Sequence, residues 1–279
     1  MSQELVRDWW QRNPMSYDVD DPIPHEPGTR EYFEELDSRV FHPRVLRLTA
    51  TRGGRPFSYY VDFEDVRGKD VLEVGPGSGF ASQLFAEAGA HVTAVDLTDW
   101  AVDTTRARLE AFGLDGNVLQ ADAERLPFDD ASFDLVFSWG VIHHTTDMHK
   151  ALRELVRVLR PRGRLVLMLY HRHSLFFAVY RAFARFLPAA RALGFHFEGS
   201  RAGEREGLIA RHFTRGEVEQ MLLGAGLNDV RVVPYGQDSE LLPLPRQMRV
   251  PITDRLPGRL KDRVLRAFGH QLGINARKL

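Results

Sequence analysis

The stretch "DVLEVGPGSGFASQLFAEAG", residues 70–89, constrains the fold more than any other part of the chain. It opens on a short, almost wholly apolar run, as a strand buried on both faces requires. Gly75, Gly77 and Gly79 follow at alternate positions, and a helical pattern then ends at Gly89. A strand that passes through glycines straight into a helix must turn sharply, and without Cβ atoms a ligand can approach the backbone there.

The same strand–helix unit recurs downstream. "HVTAVD" (91–96) is a β-branched strand, and the amphipathic "WAVDTTRARLEAFG" after it ends at Gly113. "NVLQAD" (117–122) and "FDLVFSWG" (133–140) are two more strands. "DMHKALRELVRVLRPRG" carries Met148, Leu152, Leu155 and Leu159 on one stripe, with Pro161 and Gly163 to stop it. "RLVLMLY" (164–170) is a fifth strand, "TRGEVEQMLLGAG" a helix opened by a capping box from Thr214 to Glu217, and "DVRVVPY" (229–235) and "GHQLGINARKL" (269–279) the last strands. Short connections between alternating elements predict an α/β fold with a parallel, doubly wound sheet.

Composition narrows the function. The 279 residues, 43% hydrophobic and 27% charged, suit one large domain or a domain with an elaborated cap. With no cysteine, disulfides, thiolate nucleophiles and Cys-ligated metal centres are excluded. The N-terminus lacks a basic segment followed by an apolar core, and no apolar run is long enough to span a bilayer, so a cytoplasmic protein is expected. The net charge of −1 conceals an asymmetry: residues 150–279 hold 24 of the 37 basic residues and 11 of the 38 acids. Such a half could attract an anionic substrate, nucleic acid or a membrane surface. The plainer reading is that oppositely charged halves face each other, and no nucleic-acid partner is expected.

Two acids extend the glycine loop into a binding site. Asp96 ends the second strand, where a carboxylate can accept both ribose hydroxyls of a nucleoside, and Asp122 ends the third. The spacing G-x-G-x-G brings the third glycine one residue earlier than the dinucleotide fingerprint does, which argues against a nicotinamide-dependent oxidoreductase.

"EVGPGSG", "VDLT", "ADAERLPFDDASFDLVFSWGVIHH" and "ALRELVRVLRPRGRLVLMLYHR", in this order, resemble class I S-adenosylmethionine-dependent methyltransferases of the small-molecule group that includes the ubiquinone-type enzymes. The resemblance covers roughly residues 65–170. It implies a Rossmann-like, seven-stranded sheet with S-adenosyl-L-methionine as cofactor. It also implies that Glu73, Gly75, Pro76, Gly77 and Gly79 form the loop beneath the methionine part, although Pro76 departs from many relatives. By the same likeness Asp96 holds the ribose, Leu97 walls the adenine, Asp122 accepts from the adenine amino group, the Ala123 backbone serves the ring, and Ser138 lies near the amino-acid end.

Residues 1–65, rich in aromatics, are expected to form a helical cap, and 66–279 the methyltransferase domain, with a lid inserted at 171–213. The lid's "SLFFAVYRAFARFL" reads as an amphipathic helix lining an apolar acceptor pocket, with weak peripheral membrane contact as the other reading. Trp9 and Trp10 read as cap packing. His143 and His144 stand where the family's loop after the fourth strand faces the acceptor. Adjacent side chains point to different sides and no third ligand is spaced to join them, so no metal is expected. Either is suited to receive a hydroxyl proton. Tyr17, Tyr170, His171, Arg172 and His173 are further candidates, Tyr17 by closing over the cofactor. The expected reaction is O-methylation of a sugar or natural-product hydroxyl by a monomer or homodimer. Carbon or nitrogen methylation, or a non-catalytic cofactor-binding protein, are the alternatives.

Overall fold

The computed structural model describes residues 2–14, 22–40, 48–51, 54–178, 209–237, 241 and 246–279. Two helices lead, α1 (Gln3–Arg12) and α2 (Arg30–Val40). The α/β core follows as β1 (Asp70–Val74), α3 (Phe80–Glu87), β2 (His91–Asp96), α4 (Asp99–Ala111), β3 (Asn117–Gln120), β4 (Phe133–Trp139), a short 3-10 turn at Ile142–His144, α5 (Met148–Val158) and β5 (Leu159–His171). The chain ends with β6 (His212–Phe213), α6 (Arg215–Gly224), β7 (Leu227–Tyr235), α7 (Arg246–Arg255), α8 (Gly258–Phe268) and β8 (Gln271–Lys278). The sheet order is β3-β2-β1-β4-β5-β8-β7, with β6 paired to the end of β5.

The strands are buried runs because both faces are covered. Leu72, Val136, Leu165 and Leu167 pack with Leu152, Leu155 and Leu222 on one side. Val71, Phe137 and Val166 pack with Phe57, Tyr60, Phe63 and Phe85 on the other. At about 25 cal/mol per Å² of apolar surface, burial on both faces is the main force holding the layers together. The caps are local chemistry: Asp147 accepts from the Lys150 N–H at 3.0 Å to start α5, and Thr214 and Glu217 close the expected capping box on α6.

Two features depart from expectation. Strand β5 begins at Leu159, directly after α5, rather than at residue 164, because Leu159 already pairs with Phe133 across a register shift. The sheet is not wholly parallel, since β8 runs antiparallel to both β5 and β7. The cause is connectivity. β7 ends at Tyr235, and β8 starts at Gln271, which pairs with both Tyr235 and Tyr170. Starting at the edge where β7 stopped, β8 has only the reverse direction available.

The N-terminal segment docks on the core through a buried cation. Phe33 and Leu36 of α2 pack near Ala107, Ala111 and Phe112. The Arg108 side chain, with no exposed surface, donates to both Asp37 carboxylate oxygens at 2.9 and 2.8 Å. It also donates to the Ser78 carbonyl at 2.6 Å and the Gln83 side-chain oxygen at 2.9 Å. Residues 179–208 of the expected lid, and Tyr17, lie outside the described residues. No described helix is long and apolar enough to cross a membrane.

Candidate active site

The C-terminal ends of β1, β2, β4 and β5 converge on one cavity of about 570 Å³. Its floor is the glycine loop. Gly75, Gly77 and Gly79 all have positive φ, at 78°, 57° and 78°, a region that side chains with a Cβ rarely adopt. The three serve different ends. A Cβ on Gly75 would lie 2.2 Å from a Val141 methyl, so glycine lets the loop after β4 close on β1. On Gly79 it would crowd the Thr105 backbone at 3.1 Å, so glycine lets α3 and α4 touch. Gly77 would meet nothing within 4 Å, so its bare backbone faces open space where a ligand can rest.

Three carboxylates stand around this floor. Glu73 is almost wholly buried, accepts from the Ser82 hydroxyl, and is pushed by burial from 4.5 up to about 7. Asp96 accepts from the Thr98 N–H and hydroxyl, both at 2.8 Å. Burial nevertheless raises it above the ordinary carboxylate range. Thr98 also caps α4 through Ala101, so one residue fixes both the acid and the helix. Asp122 accepts from the Glu124 N–H at 2.8 Å and from the Gln3 amide of α1 at 2.9 Å. Its shift is likewise upward, with burial as the largest cause.

Of the residues singled out by sequence, Glu73, Gly75, Pro76, Gly77, Asp96, Leu97, Asp122, Ala123 and His144 line the cavity. Gly79, Ser138, His143 and His171 do not. Ser138 is buried with its hydroxyl unpartnered. His143 has no exposed surface, and neither ring nitrogen has a partner. His171 is turned toward the chain's C-terminal part, its Nδ1 bonded to the Gly269 carbonyl at 2.9 Å. The His144 Nδ1 lies against the Ile209 carbonyl. Since a carbonyl only accepts, Nδ1 carries the proton and Nε2 the lone pair. Burial lowers His143 well below 6.5 and His144 to about 4, so both rings are neutral. Among the described residues no group of three or more His, Asp or Glu side chains could hold a metal ion.

Several cavity residues escaped the sequence reading. Phe57, Trp139, Met168 and Tyr235 join Tyr170, already a candidate from the sequence, in an aromatic and apolar half, with Trp139 5.0 Å from Phe57 and 5.6 Å from Tyr235 between ring centroids. Gln237 and Gln271 reach the cavity from the C-terminal hairpin. Trp10 reaches it from α1, its ring 5.1 Å from His144, rather than serving only as cap packing. Gln3 spans 119 residues to Asp122, a contact no local motif could signal.

The residues fit S-adenosylmethionine: a bare backbone beside two strand-end acids accommodates a nucleoside, and buried Glu73 lies where a cationic group would be balanced. Residues 72–167 match the family model described as a methyltransferase domain. The ubiquinone/menaquinone biosynthesis C-methyltransferase UbiE of Idiomarina loihiensis is 38% identical over 116 residues, 39% of this chain and 46% of that protein. UbiE of Azotobacter vinelandii is 35% identical over 173 residues, 59% of this chain and 68% of that protein. This chain belongs to the class I S-adenosylmethionine-dependent methyltransferases. The cofactor of this methyltransferase site is S-adenosylmethionine. The chain spans about half the length of the first curated relatives it matches. A S-adenosylmethionine-dependent methyltransferase from Methanosarcina mazei has the same fold, with TM-score 0.53 and 22% identity over 79% of this chain and 95% of that one.

Proposed function

We propose that this chain is an enzyme that methylates a small, ring-containing acceptor bearing an acidic hydroxyl, at the ring carbon beside it. One observation carries the reading: the acid-flanked glycine floor opens directly into a half walled by Phe57, Trp139, Met168, Tyr170 and Tyr235. The ionisable lining residues other than His144, Tyr170 and Tyr235 are Arg39, Glu73, Asp96 and Asp122. The three acids sit at the β1–β3 side, which leaves the aromatic half uncharged and suited to a flat apolar ring. The relatives named for C-methylation in quinone biosynthesis favour carbon as the acceptor atom.

S-adenosylmethionine, when bound, supplies a methyl carbon made electrophilic by its sulfonium sulfur. The chain's own residues then align the acceptor and keep water out. His144 presents the Nε2 lone pair, but its conjugate acid at about 4 makes it a weak base. It suits a phenol- or enol-like acceptor, which gives up its proton more readily than a sugar hydroxyl. That same lone pair supports O-methylation of such an acceptor as the second reading. Labelled-methyl transfer to a panel of phenols, enols and sugars, with the product position read by NMR, tests both. Transfer to sugars alone would overturn the acceptor class, and intact cofactor binding with no transfer to any acceptor would leave a cofactor-binding protein. His144→Ala should cut turnover about 100-fold with cofactor affinity nearly unchanged; wild-type turnover would remove His144 from the reaction.

Glu73 supports a pH signature. Its pKa of about 7 lies above its ordinary 4.5, so the group's stabilising contribution is complete below about 4.5 and lost as pH rises through about 7. A cation bound beside it favours the ionised form. S-adenosylmethionine affinity should therefore climb as pH passes about 7, and Glu73→Gln should flatten the profile in calorimetry. An unaltered profile in the variant would dissociate Glu73 from the cofactor.

A further inference from the structure

The basic excess of the C-terminal half has no role in the site above. Part of it gathers at the opposite edge of the sheet. Arg164 at the start of the sheet's inner run pairs in register with Arg277, and Arg231 pairs with Asn275 on the same face. These four residues, with Tyr59, Tyr60 and Asp229, line a second cavity of about 260 Å³. Arg164 lies six positions before Tyr170, about 20 Å back along the strand, and the Tyr60 ring stands between the two cavities, 5.3 Å from Trp139 of the first.

Two of the guanidiniums, those of Arg164 and Arg231, are held in place without being neutralised. Arg164 donates to the Tyr60 carbonyl at 2.9 Å, while its Nε is buried without any partner. Asn275 donates to that same carbonyl at 2.6 Å. Arg231 donates to the Tyr59 hydroxyl and stacks over its ring at 4.9 Å. Among the described residues none of the three arginines has an ion-pair partner within 4.0 Å. Asp65 and Asp62 lie farther out, and Asp65 is engaged by Lys69 at 2.8 Å. Burial and the neighbouring Arg277 both disfavour the charge on Arg164. Three like charges converging on one concave surface repel, and a bound anion relieves that repulsion.

We propose that this cavity is an anion site for a phosphoryl group, held by Arg164, Arg231 and Arg277 with the Tyr59 hydroxyl and the Asn275 side chain beside it. The three cations and the single lining carboxylate, Asp229, leave a formal excess of two positive charges. A phosphate offers more charge and more acceptor oxygens to three converging guanidiniums than a monocarboxylate does. Forked guanidiniums also match the tetrahedral oxygens bidentately. The group is either free phosphate or the phosphate ester of a small metabolite.

Calorimetry on the full chain at fixed ionic strength, with inorganic phosphate, glycerol phosphate and acetate as probes, tests this site. Saturable phosphate binding is expected, at least tenfold weaker in Arg277→Gln and in Arg231→Gln, with acetate weaker still. Adenosylhomocysteine binding should be unchanged in both variants, which change surface-exposed residues and spare the half-buried Arg164. Tighter binding of the ester assigns the site to a metabolite, and tighter binding of inorganic phosphate assigns it to the free ion. Absence of saturable binding, equal affinity in both variants, or competition with adenosylhomocysteine would overturn the proposal.

Discussion

Asp96→Ala weakens S-adenosylmethionine binding by about 100-fold or more. On the proposed reading its carboxylate accepts two ribose hydroxyls, and a hydrogen bond to a charged group contributes about 1.5–3 kcal/mol. Losing both costs roughly 3–5 kcal/mol, or about 150- to 4000-fold in Kd. Asp96 also accepts two bonds from Thr98, which itself caps α4, so the alanine variant loosens the loop as well. Asp96→Asn separates these effects. It keeps an acceptor for Thr98 while removing the charge, and should weaken the cofactor about tenfold with little change in Tm. Calorimetric affinity in Asp96→Ala matching the wild type would take Asp96 out of the site.

Arg108→Met should destabilise the protein by about 3–5 kcal/mol, because it leaves Asp37 without its cation in a largely buried position. For a domain of this size that is a Tm fall of about 10 °C. The Ser78 carbonyl of the glycine loop and the Gln83 side chain lose their donor too, so cofactor affinity should fall alongside stability. Burial already holds Asp37 above its ordinary 3.8 despite the guanidinium. Removing Arg108 raises it further, and the stability of the variant then declines as pH rises through that higher value. The deficit should accordingly be smaller at about pH 5 than at about pH 8. Adding Asp37→Leu should restore part of the loss, since no carboxylate is then stranded. An equal melting temperature in Arg108→Met and wild type would show that the pair does not bind α2 to the core.

Much of this was visible in one dimension because its causes are local. The glycine loop, the strand-end acids and the capping box each depend on backbone conformation within a few residues. The aromatic half of the cavity was not visible. Phe57, Trp139 and Tyr235 come from three distant segments, and nothing in their spacing separates a cavity wall from core packing. The two adjacent histidines illustrate the limit most sharply. Sequence could offer both as bases, yet one is sealed in the interior beside Tyr170, and only the other reaches the cavity. The two rings lie against each other, 4.1 Å between centroids, rather than on opposite sides as adjacent positions suggest, so burial beside Tyr170 and not spacing decides which one reaches the cavity.

The order of apolar runs and glycines by itself determined an α/β sheet with a nucleoside-binding edge, because periodicity and αL turns are properties of neighbouring residues. Only the tertiary structure decided that β8 reverses direction, that Gln3 meets Asp122, and that Arg164, Arg231 and Arg277 face one hollow. Those outcomes depend on which edge the chain occupies when it turns back, and charges far apart along the chain are brought together by strand register.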